Sequence, residues 1–128
     1  MIVGIGMDLV EIPRVEAALA RHGERFALRI LTEREYRRFR THARPVAYLA
    51  KRFAAKEAFS KAMTTGMRSP VTWRNIGVVN HASGCPYFEL APELNALVEQ
   101  RGIVAMHVSI TDERSMAAAY VILEGRAA

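Results

Sequence analysis

The longest helical pattern in this sequence, Pro45 to Met63, constrains the fold more than any other feature. At 100° per residue Val46, Leu49, Ala50 and Phe53 share one apolar face, and extending that face reaches Lys56 with Glu57 and then Ser60 with Lys61. The pattern predicts core and meets charge. Either this end of the helix is solvated, with Phe59, Ala62 and Met63 supplying a substitute apolar face, or its charged groups line a site. A Glu57 to Lys61 pair at i,i+4 is also a common surface arrangement.

Asp8 favours the site. Met1 to Ile12 alternates Val3, Ile5, Met7 and Leu9 with Gly4, Gly6, Asp8 and Val10, as a half-buried strand does. Asp8 thus shares a face with two glycines, where missing side chains permit close approach by a helix, a ligand or another backbone. The pair Gly4 and Gly6 lacks the third glycine and the following helix of a dinucleotide fingerprint. Asp8 and Glu57 are instead two oxygen donors suited to a hard divalent ion such as Mg²⁺, and Lys61 would stabilise phosphate charge beside them.

The remaining elements follow in order. Pro13 starts a helix carrying Val15, Ala18 and Leu19 that Gly23 ends, and a short basic segment surrounds Phe26 and Ile30. Thr32 and Glu35 form a capping-box signature for a helix to about Phe39. Thr64 to Pro70 is a loop. Ile76 to Val79 and Tyr87 to Leu90 read as strands about a Ser83-Gly84 turn, and Pro92 to Arg101 as a helix closed by Gly102. Ile103 to Thr111 and Met116 to Glu124 read as antiparallel strands. This order predicts an α+β fold with a mainly antiparallel sheet packed with helices.

With 128 residues, 51% of them hydrophobic, the expectation is a single domain spanning residues 1–128. The longest apolar run, Met116 to Leu123, falls short of the roughly 20 residues that cross a bilayer, and no export signal opens the chain. The lone Cys85 excludes an intramolecular disulfide and a multi-cysteine metal site and fits a cytoplasmic location. Beside Pro86, with no paired base, it reads as a small apolar filler rather than a nucleophile. Of the positive charge, eleven basic residues lie between Arg14 and Arg52 against four acids, a balance of +7 that leaves −2 elsewhere. Such concentration describes a directed surface for nucleic acid, membrane or an acidic protein. The stretch carries few aromatics and no RNP, zinc-finger or KH pattern, which argues against nucleic acid. In the penultimate strand His107, Ser109 and Thr111 share a face opposite Met106, Val108 and Ile110. A His107, Ser109, Asp112 triad fails there, because i,i+2 spacing on one strand offers no nucleophile elbow.

Three blocks, Gly4 to Glu11, Arg52 to Ala62 and His107 to Thr111, resemble those of bacterial holo-acyl-carrier-protein synthases, a 4′-phosphopantetheinyl transferase family. The likeness runs from end to end, including Ile30-Leu31-Thr32 and Trp73 to Val78. Asp112 stands where many members have a second histidine, and Cys85 where a polar or basic residue is frequent. The resemblance implies transfer of 4′-phosphopantetheine from coenzyme A to a serine of apo acyl carrier protein, in support of fatty acid biosynthesis, with release of adenosine 3′,5′-bisphosphate. It implies a homotrimer with active sites between subunits. By position, Asp8 and Glu57 would be Mg²⁺ ligands and Lys61 would face the phosphates. Arg44, Arg52, Ser60, His107 and Thr111 would contact coenzyme A, some from a neighbouring subunit. The serine proton would pass to Glu57 through a bound water, to hydroxide on the metal, or to Asp8, which the sequence does not separate. Arg14, Arg21, Arg25 and Arg29, with Phe26 and Ile30, would form the docking face for the acidic carrier. Other Mg²⁺-dependent phosphoryl chemistry on coenzyme A-like nucleotides is the alternative enzyme, and a small basic nucleic-acid-binding module the alternative class.

Overall fold

The expected strands and helices are all present in the computed structural model, which describes residues 1–127. In chain order they are β1 (Ile2–Glu11), α1 (Ile12–His22), α2 (Glu24–Ile30), α3 (Glu33–Thr41), α4 (Pro45–Ala62), a 3₁₀ turn (Trp73–Asn75), β2 (Ile76–Asn80), β3 (Pro86–Leu90), α5 (Pro92–Gln100), β4 (Ile103–Glu113) and β5 (Met116–Gly125). The basic segment around Phe26 forms a helix of its own, α2. The Thr32 capping box is made in both directions, hydroxyl to the Glu35 N–H and Glu35 carboxylate to the Thr32 N–H. Two antiparallel sheets result, β1-β5-β4 and the hairpin β2-β3.

Helix α4 runs through the centre. Its alanines at 47, 50, 54, 55, 58 and 62 are all buried, as are Leu49 and Phe59, so small side chains let other elements close on it from several sides. Strand β1 comes closest. A Cβ added to Gly4 would run into the carbonyl of Ala62, and one on Gly6 into that of Ala58. Only a strand face without side chains at these positions can lie so near a helix backbone, so the face bearing Gly4, Gly6 and Asp8 turns inward.

The apolar face of β1 therefore turns outward. Ile5, Met7 and Leu9 are between 53% and 59% exposed. Across the sheet this outer face continues through Ile5, Ile122 and His107, then Met7, Tyr120 and Ser109, then Leu9, Ala118 and Thr111, paired in register. The strand is half-buried as its alternation predicts, but the half that enters the core is the one with glycines and an acid. Backbone proximity to α4 outweighs side-chain hydrophobicity in choosing the face.

Gly6→Ala should push β1 off α4, lowering stability by about 1–3 kcal/mol as overpacking does; a urea unfolding midpoint equal to that of the parent would contradict this packing.

Candidate active site

The inward face of β1 sets Asp8 beside the last turns of α4. Lys61 Nζ lies 2.9 Å from Asp8 Oδ1 and also donates to the Met7 carbonyl at 3.1 Å. Lys61 thus bridges helix and strand rather than pairing with Glu57 along the helix. Asp8 keeps 15% side-chain exposure. Glu57, half-buried, accepts a hydrogen bond on Oε2 from the indole Nε1 of Trp73 at 3.2 Å. Burial raises the pKa of its carboxyl, the Asp8 charge adds to that shift, and the indole and Lys61 oppose it.

Asp8 and Glu57 line one cleft of about 390 Å³ with Val10, Arg14, Phe26 and Phe53 among its other walls. Among the described residues no three His, Cys, Asp or Glu side chains converge to hold a metal on their own. Two carboxylates on one cleft do fit Mg²⁺, which takes one or two protein carboxylates and fills its octahedron with water and phosphate oxygens. Their mutual repulsion, felt in the raised Glu57 pKa, is what a cation would relieve.

Lys56 departs from the sequence reading. It neither leaves the core nor faces a cleft: it is fully buried, with Nζ 2.6 Å from Glu35 Oε1, 2.6 Å from the Ile30 carbonyl and 2.9 Å from that of Trp73. Burial pushes its pKa down to about 8 against the pull of Glu35. Glu35 uses its other oxygen on the Val78 N–H at 2.7 Å. One ion pair therefore ties together the end of α2, the start of α3, the 3₁₀ turn and β2. The capping box announced Glu35 in the sequence; its second task, far along the chain, left no local signal.

The basic residues fall into distinct places. Arg21, His22, Arg25, Phe26 and Arg29 line a depression of about 310 Å³ on α1 and α2, and Phe26 is shared with the carboxylate cleft. Arg14 stands exposed at that cleft, 3.6 Å from Glu11. Ile30, expected to add apolar contact to this face, is 2% exposed and belongs to the core, because the last residue of α2 packs into the main apolar cluster while its carbonyl accepts from the buried Lys56. Arg52 lies elsewhere. It lines a cavity of about 480 Å³ with Arg34, Arg38, His42 and Lys51, its guanidinium 4.5 Å over the Tyr48 ring. Its Nε is buried without a hydrogen-bond partner among the described residues. Burial, then Arg38, Lys51, Arg52 and Arg44, hold the His42 pKa below the usual histidine range, as expected in a pocket of positive potential. Lys51 is 3.7 Å from Asp112, which gives that aspartate a structural partner.

Other expected contacts stand outside the carboxylate cleft. Arg44 is exposed at the start of α4, and Ser60 is buried with its hydroxyl on the Glu57 carbonyl at 2.7 Å. His107 and Thr111 stand on the outer sheet face, His107 against Glu124 at 2.5 Å. Asp8 lies on the opposite, inner face, in register with Ala119, so neither His107 nor Thr111 reaches the cleft of its own chain.

A model of the 4′-phosphopantetheinyl transferase superfamily matches residues 4–120. The chain belongs to this superfamily. Among similar phosphopantetheinyl transferases, the holo-[acyl-carrier-protein] synthase of Nitrosomonas eutropha is 52% identical over 124 residues, covering 97% of this chain and 99% of that one. The crystal structure of the holo-[acyl-carrier-protein] synthase from Neisseria meningitidis superposes with a TM-score of 0.95 at 45% identity, covering 97% and 99%. That of a Bacillus anthracis holo-(acyl-carrier-protein) synthase in complex with CoA (3′,5′-ADP) superposes with a TM-score of 0.81 at 36% identity, covering 98% and 99%. The α+β fold of antiparallel sheets and helices is shared with these phosphopantetheinyl transferases.

Glu35→Ala leaves the Lys56 ammonium buried and unpaired. It should cost about 3–5 kcal/mol, as breaking a buried pair does, and chemical denaturation that showed less than 1 kcal/mol would dismiss this network as a structural tie.

Proposed function

We propose that this chain is a holo-[acyl-carrier-protein] synthase, moving 4′-phosphopantetheine from coenzyme A to a serine of apo acyl carrier protein and releasing adenosine 3′,5′-bisphosphate. The observation that carries the reading is the Asp8, Glu57 and Lys61 cluster, in a chain so similar to synthases over nearly its whole length. We place the enzyme in the cytoplasm, serving the carrier of fatty acid synthesis; among the described residues no helix is long and apolar enough to cross a membrane.

Serine attack on the β-phosphate breaks the pyrophosphate bond and expels adenosine 3′,5′-bisphosphate through its 5′-phosphate oxygen, so the protein has charge to offset and two substrates to align. Asp8 and Glu57 would hold Mg²⁺ at the coenzyme A pyrophosphate, and the ion when bound supplies charge neutralisation and alignment. Lys61 carries the nearest ammonium to offset charge on the leaving bisphosphate. Asp8 is engaged by Lys61 while Glu57 meets only the indole N–H among the described residues, which leaves Glu57 the freer carboxylate for the serine proton. The Arg52 cavity, its Nε unpartnered among the described residues and its histidine pKa depressed, suits a further phosphate of coenzyme A beyond the pyrophosphate at the carboxylates. Arg14, Arg21, Arg25, Phe26 and Arg29 suit an acidic carrier, and Phe26 joins their depression to the carboxylate cleft, so docking there delivers the serine beside it.

The subunit is incomplete by itself. Its outer sheet face exposes Ile5, Met7, Leu9 and Tyr120, the kind of patch that marks an interface. A homotrimer closed through this face would cover it and let His107 and Thr111 serve a neighbour's coenzyme A site.

With Mg²⁺, coenzyme A and apo carrier, mass spectrometry should find a phosphopantetheine adduct on the carrier serine; no adduct with any apo carrier would refute the assignment. Asp8→Ala and Glu57→Ala should each cut transfer by about 100-fold or more with the fold intact, and near-normal turnover in either would remove the two-carboxylate site. Reversing Arg21 to Glu should raise KM for the carrier several-fold at low salt, an effect that added salt erases; an unchanged KM would put docking elsewhere. Bound coenzyme A should raise the His42 pKa in an NMR titration, because anionic phosphates offset its cationic neighbours, whereas an unmoved pKa would place the nucleotide outside the Arg52 cavity.

A further inference from the structure

We infer that Trp73 is a positioning residue for the Glu57 carboxylate, an inference that rests on the metal-holding role proposed for Glu57. Consecutive residues of α4 grip Trp73 by its carbonyl and its indole: the carbonyl accepts from Lys56 Nζ at 2.9 Å, and the indole N–H donates to Glu57 Oε2 at 3.2 Å. Lys56 is itself immobilised by Glu35 and the Ile30 carbonyl. The indole ring packs on Phe53, centroids 6.1 Å apart, one helical turn before Glu57 and on the wall of the same cleft. A glutamate carboxylate swings on a flexible stem. Here one oxygen is pinned by a donor whose residue is held at two other points, its carbonyl and its ring, and the other is left for the cleft.

The choice of donor has a physical consequence. An ammonium on Glu57 would compete with a bound cation for its negative charge; the neighbouring ammonium, Lys61, is already on Asp8. A neutral N–H orients the carboxylate and leaves its charge for the ion. Carboxylates that ligate metals are commonly held by such a partner, whose loss weakens metal binding.

Trp73 is the single tryptophan of the chain, so biosynthetic replacement of tryptophan by its benzothienyl analogue exchanges this one N–H for sulfur and keeps the ring's size. The probe is Mn²⁺ alone, with free ion measured by electron paramagnetic resonance, alongside the melting temperature. Both the analogue and Trp73→Phe should bind Mn²⁺ about 10-fold more weakly than the parent, the analogue melting with the parent, and Glu57→Gln should lose the ion. Parental affinity in the analogue, with binding lost in Glu57→Gln, overturns the positioning role and leaves the metal site standing. Parental affinity in Glu57→Gln removes the metal site and with it the reason for positioning. Should Trp73→Phe fold poorly, the analogue of equal shape decides alone.

Discussion

The contact on which the rest of this structure depends is between backbones: β1 against α4 at Gly4 and Gly6. No side chain mediates it, and none fits. It fixes which face of β1 enters the core, and so carries Asp8 to Lys61 and onto the cleft that Glu57 shares. The same contact turns Ile5, Met7 and Leu9 to the outside. Site assembly and an exposed apolar surface are thus two results of one packing choice; in the proposed homotrimer a second subunit would cover the latter and bring His107 and Thr111 within reach of a site.

Helix α4 distributes neighbouring residues to different tasks by its 100° step. Lys56 points into the core, Glu57 stands half-buried at a cleft, and Lys61, one turn on, reaches out to β1. Desolvating Lys56 is costly, and Glu35 with two carbonyls offsets that cost by saturating its three donors. What is gained is a rigid floor: the 3₁₀ turn is tied to the helix that carries Glu57.

Seven of the eleven basic residues from Arg14 to Arg52 gather on two separate surfaces. Arg21, Arg25 and Arg29 stay together on α1 and α2, beside Phe26, while Arg34, Arg38, Lys51 and Arg52 gather around His42 on α3 and α4. On the proposed function the two surfaces would meet different anions, a broad carrier protein at the first and a compact phosphorylated nucleotide at the second.

The sequence by itself determined the elements, because alternation, helical periodicity, the Thr32 capping box and the Pro and Gly boundaries are all local signals. It also marked Asp8, Glu57 and Lys61, since charge where a pattern predicts core stands out. It resolved neither the burial of Lys56 nor that of Ile30, and it was silent on the bond from Trp73 to Glu57. Those depend on residues far apart in the chain, such as Glu35 with Lys56 and Val78. Only the tertiary structure decided which face of β1 is inside and where each arginine is exposed, because burial is a property of the surfaces that meet, and alternation specifies two faces without saying which one finds a partner.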